Sequence, residues 1–446
     1  MRSNILGRYP LPATMSGDLW GGFAAMLVAL PSAIAFGVTI LSPLGASYGA
    51  QGALAGMLGV TVLGLVAASV GGTQRLISAP CAPAAAVLSA VTIEMVRAGL
   101  PANTIVLSLF FIALACGVLQ IAFGLLQIGR LIRFMPYTVV SGYLSGVGLI
   151  IIMSQLPKWL ALPKGTPLAD GLVQPQLWQV NSIAIGLATA LAMLVAPRFS
   201  QRVPGVIWGL VGGIVMYWIL AWTGFPELQS LSNNPFVIGP LSADLASLAH
   251  NLQNSVQQIF HATLPPLSQI MIPALTLAVL LSIDTLKTCV VLDALTGSRH
   301  NSNRELIGQG LGNLSATLLG GTPGAGTMGA TLVNKASGGT SRLSGIFQGL
   351  WSLLAILVLT PLIAWVPIAS LAALLVVIGV RMIDWKSLSF ARSKETVIDF
   401  IVILLVVVVA NTIGLIAASG LGVGLAILLF IREQIHSTTV RKKSYG

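Results

Sequence analysis

Long apolar runs alternate with short polar segments along the whole chain, and this alternation predicts fourteen membrane-crossing helices. Most runs approach the roughly 20 residues that a helix needs to cross the hydrocarbon layer. The runs lack the two-residue alternation of a transmembrane barrel strand, so an all-α integral membrane protein is predicted. The predicted spans lie near 18–40, 48–70, 82–97, 104–127, 138–156, 180–197, 204–223, 270–293, 305–319, 325–338, 344–361, 363–381, 396–415 and 417–434.

Basic residues occur in short clusters between these runs and predict the orientation of the chain. The clusters "GRLIR", "RFSQR", "SRHNSNR", "KASGGTSR" and "RKK" all fall on one side if the chain starts in the cytoplasm. Loops rich in Lys and Arg face the cytoplasm. Residues 224–268 contain no Lys or Arg, so this connection is predicted to lie outside. A multi-pass protein of the plasma or inner membrane with both termini in the cytoplasm is expected.

Composition supports this class and argues against several others. Of the 446 residues, 55% are apolar and 8% charged, a balance that no soluble domain of this length requires. The net charge of +11 lies on loops, so no nucleic-acid partner is expected. Cys81, Cys116 and Cys289 lie in apolar surroundings and are predicted to pack there. The spacing of the histidines does not match a metal site. No nucleophile paired with a general base can be named, so neither an enzyme nor a cofactor is expected.

The third and tenth runs are short, rich in small residues, and follow similar phrases. "SVGGTQRLISAPCAP" precedes the third run and "LLGGTPGAGTMGA" enters the tenth, so that "GGT" ends at Thr73 and again at Thr322. Seven crossings separate the two copies, and an odd number places the second copy upside down. An inverted repeat with two interrupted helices is typical of a secondary transporter that holds its substrate near the membrane midplane.

Helix breakers at both phrases predict an anion site made of backbone donors. Pro80, Pro83 and Pro323 interrupt the helices and leave amide groups at two helix starts. Two such starts facing each other attract an anion. Ser78, Cys81 and Thr327 are candidate side-chain donors there. The alternative is that the glycines serve only close helix packing.

The eighth run carries two charges in "SIDTLKT", residues 282–288. Asp284, Lys287 and Thr288 share one helical face, which must turn away from lipid. Four roles stay open. Asp284 and Thr288 could supply oxygen ligands to Na⁺, or Asp284 could carry a coupling proton. Asp284 and Lys287 could instead only neutralise each other, or Lys287 could add positive charge to the anion site.

One further acidic residue, Glu305, starts the ninth run. It is expected to cap that helix or to pair with a cytoplasmic arginine, which is a structural role.

The chain resembles the SulP family of inorganic anion transporters over essentially its whole length. The motifs that carry the resemblance are "ALPSAIAFGV", "GGTQRLISAPCAP", "SRHNSNRELIGQGLGN", "GGTPGAGTMGATLVNKASGG" and "GLAILLFIREQI". The resemblance implies a 7+7 inverted repeat, with the third and tenth spans as half-helices, that divides into a core and a gate domain. The expected segments are a cytoplasmic amino terminus (1–17), core (18–127 and 270–361), gate (128–223 and 362–436), an extracellular connection (224–269) and a cytoplasmic tail (437–446).

The same resemblance implies which residues line the site. The anion would lie between the third and tenth half-helices, with Ser32 and Phe36 of the first span beside it. The further substrate-binding residues expected at the half-helices are Ser78, Ala79, Cys81, Ala82, Ala325, Gly326 and Thr327. Transport would proceed by an elevator-like movement of the core past the gate. A homodimer is also expected, and the cytoplasmic STAS domain usual in the family is expected to be missing after "RKKSYG".

The eighth span is similar to that of the sodium-dependent bicarbonate transporters of the family, in which an aspartate and a threonine four residues on bind Na⁺. Asp284 and Thr288 match this pair, whereas Lys287 replaces an apolar residue and Met328 stands where a threonine ligand is expected. The expected function is cation-coupled transport of sulfate or bicarbonate, with H⁺ or Na⁺ as coupling ion. The alternatives are a nucleobase:cation symporter of the same fold and a passive anion channel or motor.

Overall fold

A computed structural model describes residues 11–45, 48–129, 137–163, 166, 168–199, 203–231, 234–241, 267–385, 387 and 397–412. In this part of the chain, a helix is found at each of the first thirteen predicted spans. The fourteenth predicted span and the tail lie outside the described residues. The helices at these spans are α1 (Leu11–Leu41), α2 (Tyr48–Val70), α3 (Ala82–Arg97), α4 (Ala102–Leu125), α5 (Tyr137–Trp159), α6 (Val180–Val195), α7 (Gly205–Thr223), α8 (Leu267–Thr296), α9 (Ser302–Leu318), α10 (Met328–Ala336), α11 (Leu343–Ile363), α12 (Ile368–Met382) and α13 (Val397–Thr412). A further short helix, Leu168–Val173, lies in the connection between α5 and α6.

Two short strands add a small sheet to the predicted all-helical fold. Strand β1 (Ser78–Pro80) precedes α3, and strand β2 (Gly324–Gly326) precedes α10. The tenth span therefore begins at Met328 rather than at the predicted residue 325, because Gly324–Gly326 adopt an extended conformation. Helix α10 has only 9 residues, too few to cross a bilayer.

The described helices pack as two groups. In the first group, α1 packs on α2 and α11, α2 packs on α9 and α11, and α4 packs on α8 and α9. In the second group, α12 packs on α5 and α6, α6 packs on α7, and α13 packs on α5. The groups meet where α1 contacts α7 and α12 and where α3 contacts α5.

Small residues allow the helices of the first group to approach closely. Gly37 of α1 and Gly52 of α2 face each other, and a Cβ on either would overlap the backbone of the other. Such contacts are a usual means of helix association in membranes, where the hydrophobic effect does not drive helices together. Among the described residues, seven helices are individually long and apolar enough to cross a membrane.

Candidate functional site

The two interrupted segments meet in a short antiparallel sheet. Ser78 pairs with Gly326, Ala79 with Ala325 and Pro80 with Gly324, and all six residues are buried. The pairing continues beyond the strands, because the Thr327 amide donates to the Ile77 carbonyl over 2.8 Å. Each strand leads within two residues into a helix start, so the sheet brings the amino-terminal ends of α3 and α10 together.

Neither helix start is capped by its own side chain. Cys81 and Thr327 are the N-cap residues of α3 and α10, and neither side chain caps a backbone amide. Uncapped first-turn amides together with the helix dipole attract negative charge. The arrangement therefore places one set of partly positive donors at each end of the short sheet.

Polar side chains of α8 and α9 hold the sheet in place. The Asn313 side chain accepts a hydrogen bond from the Gly324 amide over 2.8 Å and donates to the Gly324 carbonyl over 3.0 Å. Thr285 Oγ1 accepts from the Gly326 amide over 2.9 Å. Gln309 Nε2 donates to Ser78 Oγ over 2.7 Å. Asn313, Thr285 and Gln309 are fully buried, so their contacts satisfy backbone groups of β2 and the Ser78 hydroxyl oxygen, which water does not reach.

Sequence analysis missed these three supporting residues. Helix α9 places a polar residue at every fourth position, and these residues line one face of the helix. The four residues of this stripe are Glu305, Gln309, Asn313 and Thr317. A stripe of four polar residues on one face of a membrane helix indicates that this face is buried within the protein, and the stripe is present in the sequence.

Most residues predicted for the anion site lie at this junction. Ala79, Cys81, Ala82 and Ala325 are buried on β1, β2 or the start of α3. Helix α1, which carries Ser32 and Phe36, contacts β1, α3 and α10. The structure thus brings the predicted residues of β1, β2 and the two helix starts together, and α1 packs against them.

Several of the predicted donors already have partners within the protein. The Gly326 amide is bound by Thr285. Thr327 Oγ1 donates to the Ile77 carbonyl over 3.3 Å, and Ser32 Oγ donates to the Val28 carbonyl over 3.1 Å. Ser78 differs, because its oxygen accepts a hydrogen bond and it donates to no described residue.

The two charges of the eighth span form an ion pair. Lys287 Nζ lies 2.7 Å from Asp284 Oδ1, and their side chains are 33% and 16% exposed. Thr288 Oγ1 donates to the Asp284 backbone carbonyl over 3.0 Å. Helix α8 contacts both α3 and β2, and Thr285, the residue after Asp284, binds the Gly326 amide. The pair therefore lies near the paired helix starts, while Met328 occupies the first position of α10.

Among the described residues, Glu305 makes neither the helix cap nor the ion pair that the sequence suggested. Its carboxylate accepts hydrogen bonds from the Gly72 amide over 2.8 Å and from Gln309 Nε2 over 2.9 Å. The helix cap is supplied instead by Asn301, whose side chain accepts from the Arg304 amide. Glu305 is buried. Among the described residues, these two donors supply the hydrogen bonds that water would otherwise make to its carboxylate.

Comparison with known proteins places the chain among anion transporters. The model of the sulfate permease family matches residues 15–406. The bicarbonate transporters BicA of Picosynechococcus sp. and Synechocystis sp. are 36% and 37% identical to the chain, and each match covers 94% of the chain and 70% of the relative. The solved transmembrane domain of a cyanobacterial BicA superposes with a TM-score of 0.75 at 34% identity and covers 91% of this chain and 97% of that one. The fold is thus the 7+7 inverted repeat predicted from the sequence, and the chain belongs to the sulfate permease family.

Proposed function

We propose that this chain is a secondary transporter that carries a small inorganic oxyanion between the amino-terminal ends of α3 and α10. The observation that carries the proposal is the antiparallel pairing of β1 with β2, which joins two uncapped helix starts in one buried place. Backbone amides and helix dipoles then bind the negative charge.

The favoured substrate is bicarbonate, with sulfate as the second candidate. A site of backbone amides and small side chains recognises charge and size, and both oxyanions fit that description. Two of the most similar relatives are named bicarbonate transporters, whereas sulfate gives its name to the family. The nucleobase alternative is set aside because the chain belongs to this anion-transporting family.

We further propose that Lys287 takes the place of a coupling sodium ion. A sodium site at Asp284 and Thr288 needs an unoccupied carboxylate, but Asp284 Oδ1 is bound by the Lys287 ammonium over 2.7 Å. A sodium ion at the same oxygen would meet the repulsion of a neighbouring positive charge. Coupling to H⁺ stays compatible with this pair, because protonation of Asp284 would break it.

The elevator movement is proposed from the packing of the described helices. The group formed by α1–α4 and α8–α11 carries both strands and both helix starts. This group touches α5–α7, α12 and α13 mainly through α1 and α3. A sliding of the first group against the second would carry the anion site with it, as expected for a site built at a repeat interface.

Uptake into proteoliposomes tests the proposed function. Purified protein is reconstituted, and the initial uptake of radiolabelled bicarbonate and sulfate is measured with an inward Na⁺ gradient, an inward H⁺ gradient or neither, with protein-free liposomes as control. Saturable uptake of one anion that does not require Na⁺ is expected. If neither anion is taken up, the proposed substrate class is wrong. If uptake requires Na⁺, the proposed role of Lys287 is wrong.

A further inference from the structure

A chain of three buried side chains leads from the cytoplasmic start of α9 to the anion site. Glu305, Gln309 and Ser78 are 1%, 0% and 3% exposed. Gln309 Nε2 donates to Glu305 Oε1 over 2.9 Å and to Ser78 Oγ over 2.7 Å. An amide NH₂ group has two protons, so these two hydrogen bonds use both of them.

The charge of Glu305 decides which way the Gln309 amide faces. An ionised carboxylate accepts hydrogen bonds only, so it attracts the NH₂ group and repels the amide oxygen. Glu305 Oε2 is itself held by the Gly72 amide over 2.8 Å, which keeps the carboxylate in position. This arrangement leaves Gln309 Oε1, a buried oxygen, without a hydrogen-bond partner among the described residues.

The orientation of Gln309 in turn decides what Ser78 can do. Because the Gln309 NH₂ group donates to Ser78 Oγ, the Ser78 hydroxyl proton cannot be directed at Gln309. No described residue receives it. Ser78 lies on β1, three residues before the N-cap of α3, where the anion is proposed to bind. Its proton is therefore available to an anion.

We propose that Glu305 is a positioning residue that acts through Gln309 to keep the Ser78 hydroxyl as a donor to the transported anion. This inference rests on the proposed function, because it takes Ser78 to lie at the anion site. Loss of the negative charge at Glu305 removes the preference for the NH₂ group. The amide can then turn its oxygen to Ser78, which consumes the hydroxyl proton.

The groups around Glu305 do not supply another charged partner. On α8, the Cys289 thiol lies 3.2 Å from Thr73 Oγ1. The neighbouring Arg304 binds the Val70 carbonyl through Nε, and His300 and Asp293 pair with each other at 2.6 Å. The packed helices α2 and α4 contribute only Tyr48 and Cys116 as titratable residues. Within the described residues, the Glu305 carboxylate forms no salt bridge.

A double-mutant cycle on uptake tests the positioning role. Ser78→Ala, Glu305→Gln and the double variant are reconstituted, and the KM and maximal rate for the anion that wild type takes up are measured. Glu305→Gln keeps the size of the side chain and removes its charge. Glu94→Gln, which neutralises an exposed acid on α3, is the matched control. A second cycle compares Glu305→Gln with and without Gln309→Met, which removes the Gln309 amide at similar volume.

The expected result is a rise in KM that depends on Ser78. Loss of a hydrogen bond to an anion is expected to raise KM about tenfold in Ser78→Ala. Glu305→Gln should raise KM several-fold, leave the maximal rate and thermal unfolding temperature near wild type, and add nothing when Ser78 is already alanine. In a Gln309→Met background, Glu305→Gln should no longer raise KM, because no amide oxygen remains to consume the Ser78 proton. Glu94→Gln should behave as wild type.

Three results would overturn the inference. In the first, Glu305→Gln raises KM by the same factor with and without Ser78, or with and without the Gln309 amide, which indicates a general structural role. In the second, Glu305→Gln lowers only the maximal rate. In the third, Ser78→Ala leaves KM unchanged, which removes Ser78 from the anion site. Failure of the proposed function is distinct, because wild type would then take up neither bicarbonate nor sulfate.

Discussion

Lys287 is the residue whose contact bears most directly on ion coupling. Its ammonium lies 2.7 Å from Asp284 Oδ1, three positions earlier on α8. The spacing in the sequence places the two side chains on one face, and the contact between them could be predicted on that basis. The sequence could not predict which of the four open roles the pair serves, because that depends on how close the pair lies to α3 and α10.

Replacing Lys287 by leucine is predicted to make uptake dependent on Na⁺. Without the ammonium, Asp284 keeps a negative charge that needs a cation in a membrane interior. Uptake in the absence of Na⁺ is expected to fall about tenfold, an effect of about 1.4 kcal/mol, and Na⁺ is expected to restore part of it. Initial rates measured at several Na⁺ concentrations check this.

Two variants serve as controls for the leucine substitution. Lys287→Arg keeps the positive charge and should stay independent of Na⁺. The double variant Asp284→Asn with Lys287→Leu should lose the Na⁺ response, because the carboxylate ligand is gone. Unchanged uptake by Lys287→Leu without Na⁺ would mean that the ion pair is structural and that coupling lies elsewhere.

Residues that hold the two strands through hydrogen bonds were harder to predict from the sequence than residues of the strands and helix starts themselves. Thr285 lies in the same "SIDTLKT" segment as Asp284, but its partner is the Gly326 amide, far away in the chain. In the sequence, Thr285 cannot be distinguished from other small polar residues on membrane helices. Its role follows only from the tertiary packing of α8 on β2.

At the scale of elements, the two interruptions could be predicted but their pairing could not. Pro80 and Pro323 lie outside the helices, before the starts of α3 and α10, whereas Pro83 fits the first turn of α3 and does not interrupt it as predicted. Both helix starts lie within three residues of the predicted positions. The strands have only 3 residues each, which is too short for an alternating pattern that would predict them. Their register comes from partners on other helices, chiefly Asn313 and Thr285.

Gly324→Ala is predicted to disrupt the sheet and abolish uptake. A Cβ at Gly324 would overlap the Ala79 carbonyl on the paired strand, and backbone in this position cannot give way cheaply. Uptake is expected to fall more than about tenfold, since overpacking costs about 1–3 kcal/mol. Initial uptake rates, normalised to the amount of folded protein in the liposomes, check this.

Gly224→Ala is the matched control for this substitution. Gly224 follows α7 in an extended conformation, and a Cβ there meets open space. This variant should transport as wild type does. If Gly324→Ala also retains normal uptake, the close contact between β1 and β2 is not needed for transport.

At the scale of the whole molecule, the sequence predicted the order and repeat of the helices well. Hydropathy located thirteen spans that coincide with described helices, and the recurring "GGT" located both half-helices. The inverted 7+7 arrangement followed from counting crossings and agrees with the fold of the cyanobacterial relative. The division into a moving and a static group stays a prediction, because a single conformation contains no movement.

The central claim is that the anion lies between the amino-terminal ends of α3 and α10. The most direct measurement is a cryo-electron microscopy structure in lipid nanodiscs, with a bound antibody fragment and a saturating concentration of the anion that the protein takes up. The account predicts density for that anion between the two helix starts, within hydrogen-bonding distance of Ser78 Oγ. A map that resolves β1 and β2 clearly and places the anion elsewhere would contradict it.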